Sequence, residues 1–144
     1  MRENVVIRTV SRLSIPFIQL FSLYVIVHGA SGAGGGFQGG VVFAASFILM
    51  LIAFGLSGIR KRLGEKGAMV LATVGLFMYA GIGLLCLFFT GNYLAYTAIE
   101  SALGIPHLHG LLIDLVEAGI GITVMAVMTS IILDFADKEG SSRD

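Results

Sequence analysis

Two long stretches without charged side chains constrain the fold of this chain more than any other feature. No Lys, Arg, Asp or Glu lies between Arg12 and Arg60, and none lies between Lys66 and Glu100. A membrane-spanning helix needs about 20 apolar residues, so the first stretch can hold two spans and a turn, and the second can hold one. Because lipid offers the backbone no hydrogen-bond partners, only helices suit these runs.

The composition supports an integral membrane protein. Of the 144 residues, 56% are hydrophobic and only 12% are charged, whereas about a quarter of the residues in soluble domains are charged. A fourth apolar run, near the C-terminus, contains Asp114 and Glu117. We therefore predict an all-α integral membrane fold, with residues 1–144 in a single four-helix membrane domain. Its approximate transmembrane spans are residues 13–28, 37–58, 68–89 and 109–133.

The basic residues predict the orientation of these spans. All nine Lys and Arg residues fall on one side of a four-span chain: before helix 1, between helices 2 and 3, and after helix 4. Cytoplasmic loops are enriched in basic residues, so both termini should be cytoplasmic. Nine acidic residues balance the nine basic ones. This balance argues against nucleic acid as a partner, because nucleic acid requires a basic surface.

A glycine-rich stretch, VHGASGAGGGFQGGVVFAA at residues 27–45, joins the first two spans. Small residues recur there every four positions, which is typical of a helix face that packs closely on another helix in lipid. We therefore favour packing at the start of helix 2 over a plain turn. A partly unwound segment that lines a cavity is the alternative. The predicted packing residues are Gly35, Gly36, Gly39, Gly40 and Ala44.

Asp114 and Glu117 place two carboxyl groups inside the fourth span. They are three residues apart and so neighbour each other on one side of a helix. His107 would lie above the same face if the helix extended that far. A charge at mid-bilayer costs about 2.5–3.5 kcal/mol, and two adjacent carboxyls in a low dielectric should not both be ionised. We expect at least one of them, and Glu117 first, to exchange a proton near neutral pH.

Two interpretations of these acids stay open. One is a proton or sodium relay, which suits carboxylate oxygens and would include His107 and His28, the residue that ends helix 1. The other is an ion pair or hydrogen bond that holds a neighbouring subunit. Small-residue faces and unpaired acids both favour partner helices, so we expect both acids to face other polypeptides. Glu100, in the loop before the last span, is expected to be solvated.

A family resemblance appears at the glycine-rich stretch. A His-Gly pair followed by GGGFQGGVVFAA resembles the MnhB-like family, whose members are subunits of Mrp/Mnh-type multisubunit cation/proton antiporters, although Ala33 stands where that family commonly has proline. The run GIPHLHGLLIDLVEAGIGIT is similar to the family's last span. The resemblance implies a plasma membrane subunit of a Na+/H+ antiporter, or of an antiporter-like module in a respiratory complex. It also implies Na+ or H+ as the ion and neighbouring subunits of the A, C, D, E, F and G types.

Other classes of protein fit the sequence less well. It has no nucleophile–base set, metal-ligand cluster or nucleotide motif, so we expect no catalytic residue, cofactor or metal centre. A proteolipid-type rotor subunit of an ion-translocating ATPase is the chief alternative, but its two hairpins should echo each other, and the glycine motif has no counterpart in the second half. A small drug exporter would carry an acid in helix 1, which has none.

Overall fold

The structure, a computed structural model, describes residues 5–29 and 34–141. Within these residues, four helices are long and apolar enough to cross a membrane, and two shorter helices connect them. This confirms the prediction of an all-α membrane protein. The helices are α1 (Val5–Val27), α2 (Gly36–Phe54), α3 (Leu56–Arg60), α4 (Glu65–Thr90), α5 (Tyr96–Leu103) and α6 (Leu108–Ser141). The four membrane-crossing helices are α1, α2, α4 and α6.

The first helix begins earlier than the span expected from residue 13. α1 starts at Val5 because the apolar residues of VVIRTV continue the helix toward the N-terminus. The segment includes Arg8 and Arg12, whose side chains are exposed. Long basic side chains can extend along apolar surface to reach polar surroundings, so they are compatible with the end of a span.

The second membrane helix ends at Phe54 because Gly55 interrupts it. Gly55 has a φ of 75°, in the left-handed region that favours glycine, and its N–H donates to the carbonyl of Leu51. A Cβ at Gly58 would lie 2.6 Å from the Cβ of Phe54, so the corner that follows also requires glycine. Residues 37–58, expected as one span, thus contain both the end of α2 and the start of α3.

Helix α6 occupies the middle of the bundle. It packs extensively against α2 and α4, while α1 packs mainly against α2. In the apolar part of α2, 39% of the residues are buried, whereas the corresponding share is between 17% and 22% in α1, α4 and α6. α2 is the most buried because it is wedged between α1 and α6. The outer faces of α1 and α4 are apolar and exposed, as expected for surfaces that contact lipid or other membrane subunits.

The two ends of the bundle differ in charge. At one end, Arg60 of α3 forms an ion pair with Asp137 of α6, and Arg8, Arg12 and Lys61 lie nearby around a cavity. We call this the basic end. Helix α5 lies at the opposite end, which we call the α5 end. A cluster of apolar side chains including Phe47, Met50, Ile59 and Leu133 holds the helices together.

Candidate ion-relay site

Glu117 of α6 meets the first turn of α2. Its Oε2 accepts a hydrogen bond from the backbone N–H of Gly36 at a distance of 2.9 Å. The first N–H groups of a helix have no partners within that helix, and the helix N-terminus carries a partial positive charge. The carboxylate of Glu117 therefore caps α2 from a position 81 residues away in the sequence.

Glycines make room for this carboxylate. A Cβ at Gly29 would lie 1.8 Å from Oε2 of Glu117, and a Cβ at Gly36 would lie 2.0 Å from the backbone oxygen of Glu117. Gly35 has a φ of 136°, and a Cβ there would lie 3.3 Å from the same Oε2. The end of α1, the start of α2 and the middle of α6 thus converge on Glu117, and the short distances at Gly29 and Gly36 and the φ of Gly35 favour glycine.

The remaining small residues pack α2 against both neighbouring helices. A Cβ at Gly40 would lie 2.6 Å from the carbonyl oxygen of Gly121 in α6, and one at Gly39 would lie 2.3 Å from Cγ1 of Ile26 in α1. Ser22 Oγ also donates to the carbonyl of Gly39 at 2.5 Å. These contacts lie within the chain, so this face does not indicate a partner subunit, contrary to our expectation. The buried small residues of the face are Gly36, Gly39, Gly40 and Ala44.

The α1–α2 pair stops short of the α5 end. α2 begins level with Glu117, and Gly29, just after α1, also lies against Glu117. α6 begins nine residues before Glu117, at Leu108, which corresponds to roughly 14 Å of helix at about 1.5 Å per residue. We call this difference in height the step. Glu117 lies at its base, beside the start of α2.

Asp114 lies about one turn above Glu117, within the step. Its side chain is exposed, and no hydrogen bond or ion pair of Asp114 is found among residues 5–29 and 34–141. The physical reason is that α2 begins level with Glu117 and does not extend beside Asp114. The two acids share one side of α6 but have different surroundings.

The expectation that both acids face other polypeptides is wrong for the hydrogen-bonded oxygen of Glu117. That oxygen contacts Gly36 of the same chain. Helical spacing places a side chain on one face of its own helix, but it does not say which helix packs there. The backbone N–H that caps this carboxylate could not be recognised as a partner, because every residue except proline has one.

The two histidines proposed for the relay lie in different settings. His28 is exposed just after α1, and its ring stacks on Tyr24 with 4.2 Å between the ring centroids. It adjoins Gly29, which contacts Glu117. His107 lies outside α6 and has a φ of 67°. The condition for His107 to lie above the face of Asp114, that the helix extends to it, is not met, because α6 begins at Leu108.

Glu100 connects α5 to the start of α6, and its side chain, which was expected to be solvated, is only partly exposed. It accepts hydrogen bonds from the backbone N–H groups of His107 at 3.3 Å and His109 at 3.2 Å, and it pairs with Nδ1 of His109. The bond to the His109 side chain is the main cause that holds the pKa of Glu100 below its ordinary value of 4.5. An acid and a histidine on either side of a short loop with Gly104 and Pro106 were the sequence signal for this contact.

The donor set limits the chemistry of the site. Within the part of the chain that the structure describes, no group of three or more His, Cys, Asp or Glu side chains could hold a metal ion. A single carboxylate beside backbone groups suits a proton, or a cation that keeps part of its water. Residues 30–33, which include Ala33, lie outside the described residues.

Comparison with known proteins adds independent information. Residues 6–130 match the family model described as a domain related to the MnhB subunit of Na+/H+ antiporter. The chain is 32% identical to antiporter subunit mnhB2 of Staphylococcus aureus (strain MRSA252) over 140 residues, which covers 94% of this chain and 97% of that protein. It is 34% identical to antiporter subunit mnhB2 of Staphylococcus haemolyticus (strain JCSC1435), covering 92% of this chain and 95% of the relative.

Proposed function

Because the chain belongs to the MnhB family of Na+/H+ antiporter subunits, we propose that Glu117 is its ion-relay carboxylate and exchanges a proton or a sodium ion at the base of the step. As a member of this family, the protein is a multi-pass plasma membrane subunit of a multisubunit Na+/H+ antiporter. The comparisons give no support to the alternative of a proteolipid rotor.

The hydrogen bond between Glu117 and Gly36 carries this proposal. Ionisable side chains within membrane spans are energetically costly and usually functional. Half-helix N-termini that point at charged groups inside the membrane are a recurring feature of ion-coupled transporters. Glu117 has this geometry, because its Oε2 faces the N-terminus of α2 at 2.9 Å. Its position at the base of the step gives an ion a path along the part of α6 beside which α2 does not extend.

The geometry couples ion occupancy to the start of α2. An ionised Glu117 accepts the hydrogen bond from Gly36 and complements the partial positive charge of the helix N-terminus. A proton or cation on the carboxylate leaves an oxygen that can accept from Gly36 but removes the charge that strengthens this bond, so the first turn is held less firmly. Ion binding would then shift the balance between a held and a released first turn of α2.

Asp114 and His28 are proposed to deliver ions to Glu117. Asp114 is exposed about one turn above Glu117 on α6, and exposed His28 adjoins Gly29, which contacts Glu117. Asp114 thus lies within the step, and His28 lies next in the chain to a residue at its base. We do not include His107 in the relay, because it lies before α6 and its backbone N–H donates a hydrogen bond to Glu100.

The test exchanges one carboxylate for an amide in the assembled antiporter. Glu117→Gln keeps an oxygen that can accept from Gly36, so α2 should stay capped while the exchangeable charge is lost. In inverted membrane vesicles from cells lacking other Na+/H+ antiporters, a pH-sensitive dye reports Na+-driven proton movement. We expect Glu117→Gln to abolish this signal with the complex still assembled.

Asp134→Asn is the matched control. It makes the same chemical change on α6, but near the basic end and away from the step. We expect this variant to keep the activity and apparent Na+ affinity of the wild type. Unchanged exchange in a fully assembled Glu117→Gln complex would contradict the proposal and leave Glu117 as a structural cap.

The role of the subunit in the complex is also part of the proposal. We place it beside subunits of the A, C, D, E, F and G types, where the exposed outer faces of α1 and α4 can contact other membrane helices. It supplies relay groups and packing surfaces, and no enzymatic step is assigned to it. Support comes from the family, which is named for an antiporter subunit.

A further inference from the structure

A cavity at the basic end lies between α1 and the corner that joins α2 to α3. It has a volume of about 450 Å3. Four basic side chains contribute to its lining, and no acidic side chain is among its described lining residues. The basic residues are Arg8, Arg12, Lys61 and Arg62. The site lies at the other end of the bundle from the step, so the ion relay does not account for it.

The arginines of α1 are gathered on one aromatic ring. The Cζ atoms of Arg8 and Arg12 lie 5.7 Å and 6.0 Å from the centroid of the Phe54 ring. Attraction between a guanidinium group and an aromatic face holds such a pair, but it brings two like charges together. An anion between the two guanidinium groups would relieve their repulsion.

Among the residues that the structure describes, acidic side chains at this end do not neutralise the cavity. Arg60 pairs with Asp137, whereas neither Arg8 nor Arg12 has an ion pair within residues 5–29 and 34–141. The same holds for Lys61 and Arg62. The cavity is thus a preformed concentration of positive charge that is not balanced by acids among the described residues.

The lining changes from charged to uncharged along α1. Arg8 and Arg12 lie in the first turns, Ile15 and Pro16 follow one turn deeper, and Gln19 lies deeper still. From Arg8 to Gln19 the helix rises about 16 Å. A free phosphate would use only the charged mouth. A molecule with an anionic head and an apolar tail would use the whole depth.

We infer that this cavity binds the phosphate headgroup of an anionic phospholipid, with the adjoining part of an acyl chain against Ile15, Pro16 and Met50. Arg8 and Arg12 are placed to donate hydrogen bonds to phosphate oxygens, and Lys61 and Arg62 add charge from the α3 side. Basic pockets between transmembrane helices are suited to anionic lipid headgroups, and guanidinium groups match phosphate geometry well. The bound lipid would join the start of α1 to the α2–α3 corner.

Photocrosslinking of lipid in the intact antiporter complex tests this site. The complex is placed in phosphatidylcholine nanodiscs that contain a small fraction of photoreactive phosphatidylglycerol, and crosslinked peptides are identified by mass spectrometry. We expect crosslinks on the peptides that hold Arg12 and Lys61. Unlabelled phosphatidylglycerol should displace the label, whereas extra phosphatidylcholine and inorganic phosphate should not.

Single charge removals give the matched comparison. Arg12→Gln and Lys61→Gln should each weaken competition by phosphatidylglycerol about fivefold, from the contribution of one basic residue at a membrane surface. Lys66→Gln removes a basic residue outside the cavity and should change nothing. Lys61 is exposed, so its variant keeps the test valid if Arg12→Gln fails to assemble.

Three results would overturn the inference. Equal competition by phosphatidylcholine would show that no anionic headgroup is recognised. Equal competition by inorganic phosphate would show that the site takes a free anion. Loss of another subunit from the Arg12→Gln or Lys61→Gln complex, with lipid crosslinking unchanged, would show that an acidic protein segment occupies the cavity.

Discussion

Gly36 contributes to the site because it has no side chain. Its N–H donates a hydrogen bond to the carboxylate of Glu117, and its Cα packs against the backbone of Glu117. Both contacts require the two helices to approach closely. In a packed interior, an extra methylene group usually costs about 1–3 kcal/mol, because neighbouring groups must move. Here the neighbour is helix backbone, which cannot rotate away as a side chain can.

Gly36→Ala is therefore expected to destabilise the protein. The new Cβ would lie 2.0 Å from the carbonyl oxygen of Glu117, which should cost about 2 kcal/mol or more from overpacking. Gly81→Ala in α4 is the control, because a Cβ there meets nothing within 4 Å; it should be neutral or stabilise by about 0.5–1 kcal/mol. Thermal unfolding in detergent measures both, and equal melting temperatures for the two variants would contradict this account of the packing.

Helix α6 is tied down at both ends by contacts with short helices. At the α5 end, Glu100 accepts from the backbone N–H of His107, just before α6, and from the backbone and ring of His109 in its first turn. At the basic end, Arg60 of α3 pairs with Asp137. The Arg60–Asp137 pair is exposed, and exposed pairs contribute only about 0–1 kcal/mol. The Glu100 contact combines several hydrogen bonds on one carboxylate, so it should fix the α5–α6 corner more firmly.

The Glu100 contact makes the stability of this corner depend on pH. His109 and the backbone N–H groups hold the pKa of Glu100 below its ordinary value of 4.5. A carboxyl whose pKa is lower in the folded state stabilises the fold above its unfolded pKa, and this stabilisation is lost as the pH falls through the folded value. The melting temperature of the wild type should exceed that of Glu100→Gln at neutral pH, and the difference should shrink in acid.

His107→Asn is the control for this prediction. It retains the backbone N–H that bonds to Glu100, and Asn tolerates the left-handed conformation found at this position. Its melting temperature should follow the wild-type pH dependence. A pH-independent difference between wild type and Glu100→Gln would mean that the charge of Glu100 is not what anchors the corner.

The bundle as a whole is polarised between its two ends. Arg8, Arg12, Arg60 and Lys61 gather at the basic end, and the α5 end holds Glu100 and the step. Because cytoplasmic segments are enriched in basic residues, we propose that the basic end is cytoplasmic. The step would then open toward the outside, and Glu117 would receive its ions from that side.

Cysteine labelling tests the orientation. The native Cys86 is fully buried, so Cys86→Ala provides a background without a reactive thiol. Single cysteines at Ile105→Cys, at the α5 end, and at Lys66→Cys, at the basic end, are treated in whole cells with a membrane-impermeant thiol reagent. Ile105→Cys should react from outside, and Lys66→Cys should react only after permeabilisation. The reverse pattern would place the basic end outside.

The sequence predicted the fold class because its cause is local. A helix in lipid is fixed by a run of apolar residues and by the need to satisfy its own backbone, and both are properties of consecutive residues. The four-residue spacing of glycines likewise indicated close helix packing at the start of α2. The break at Gly55 was harder to predict, since glycine also occurs within membrane helices and only the φ of 75° distinguishes it.

The sequence by itself determined that the chain is helical, crosses a membrane and carries acids within its last span, because apolar runs and charges along one helix decide these properties. Only the tertiary structure decided that Glu117 caps α2 while Asp114 lies exposed in the step, and that Glu100 binds His109. These outcomes depend on how far one helix extends beside another. How far one helix extends beside another follows from the packing of glycine faces between helices that are distant in the chain. A local sequence pattern does not predict it.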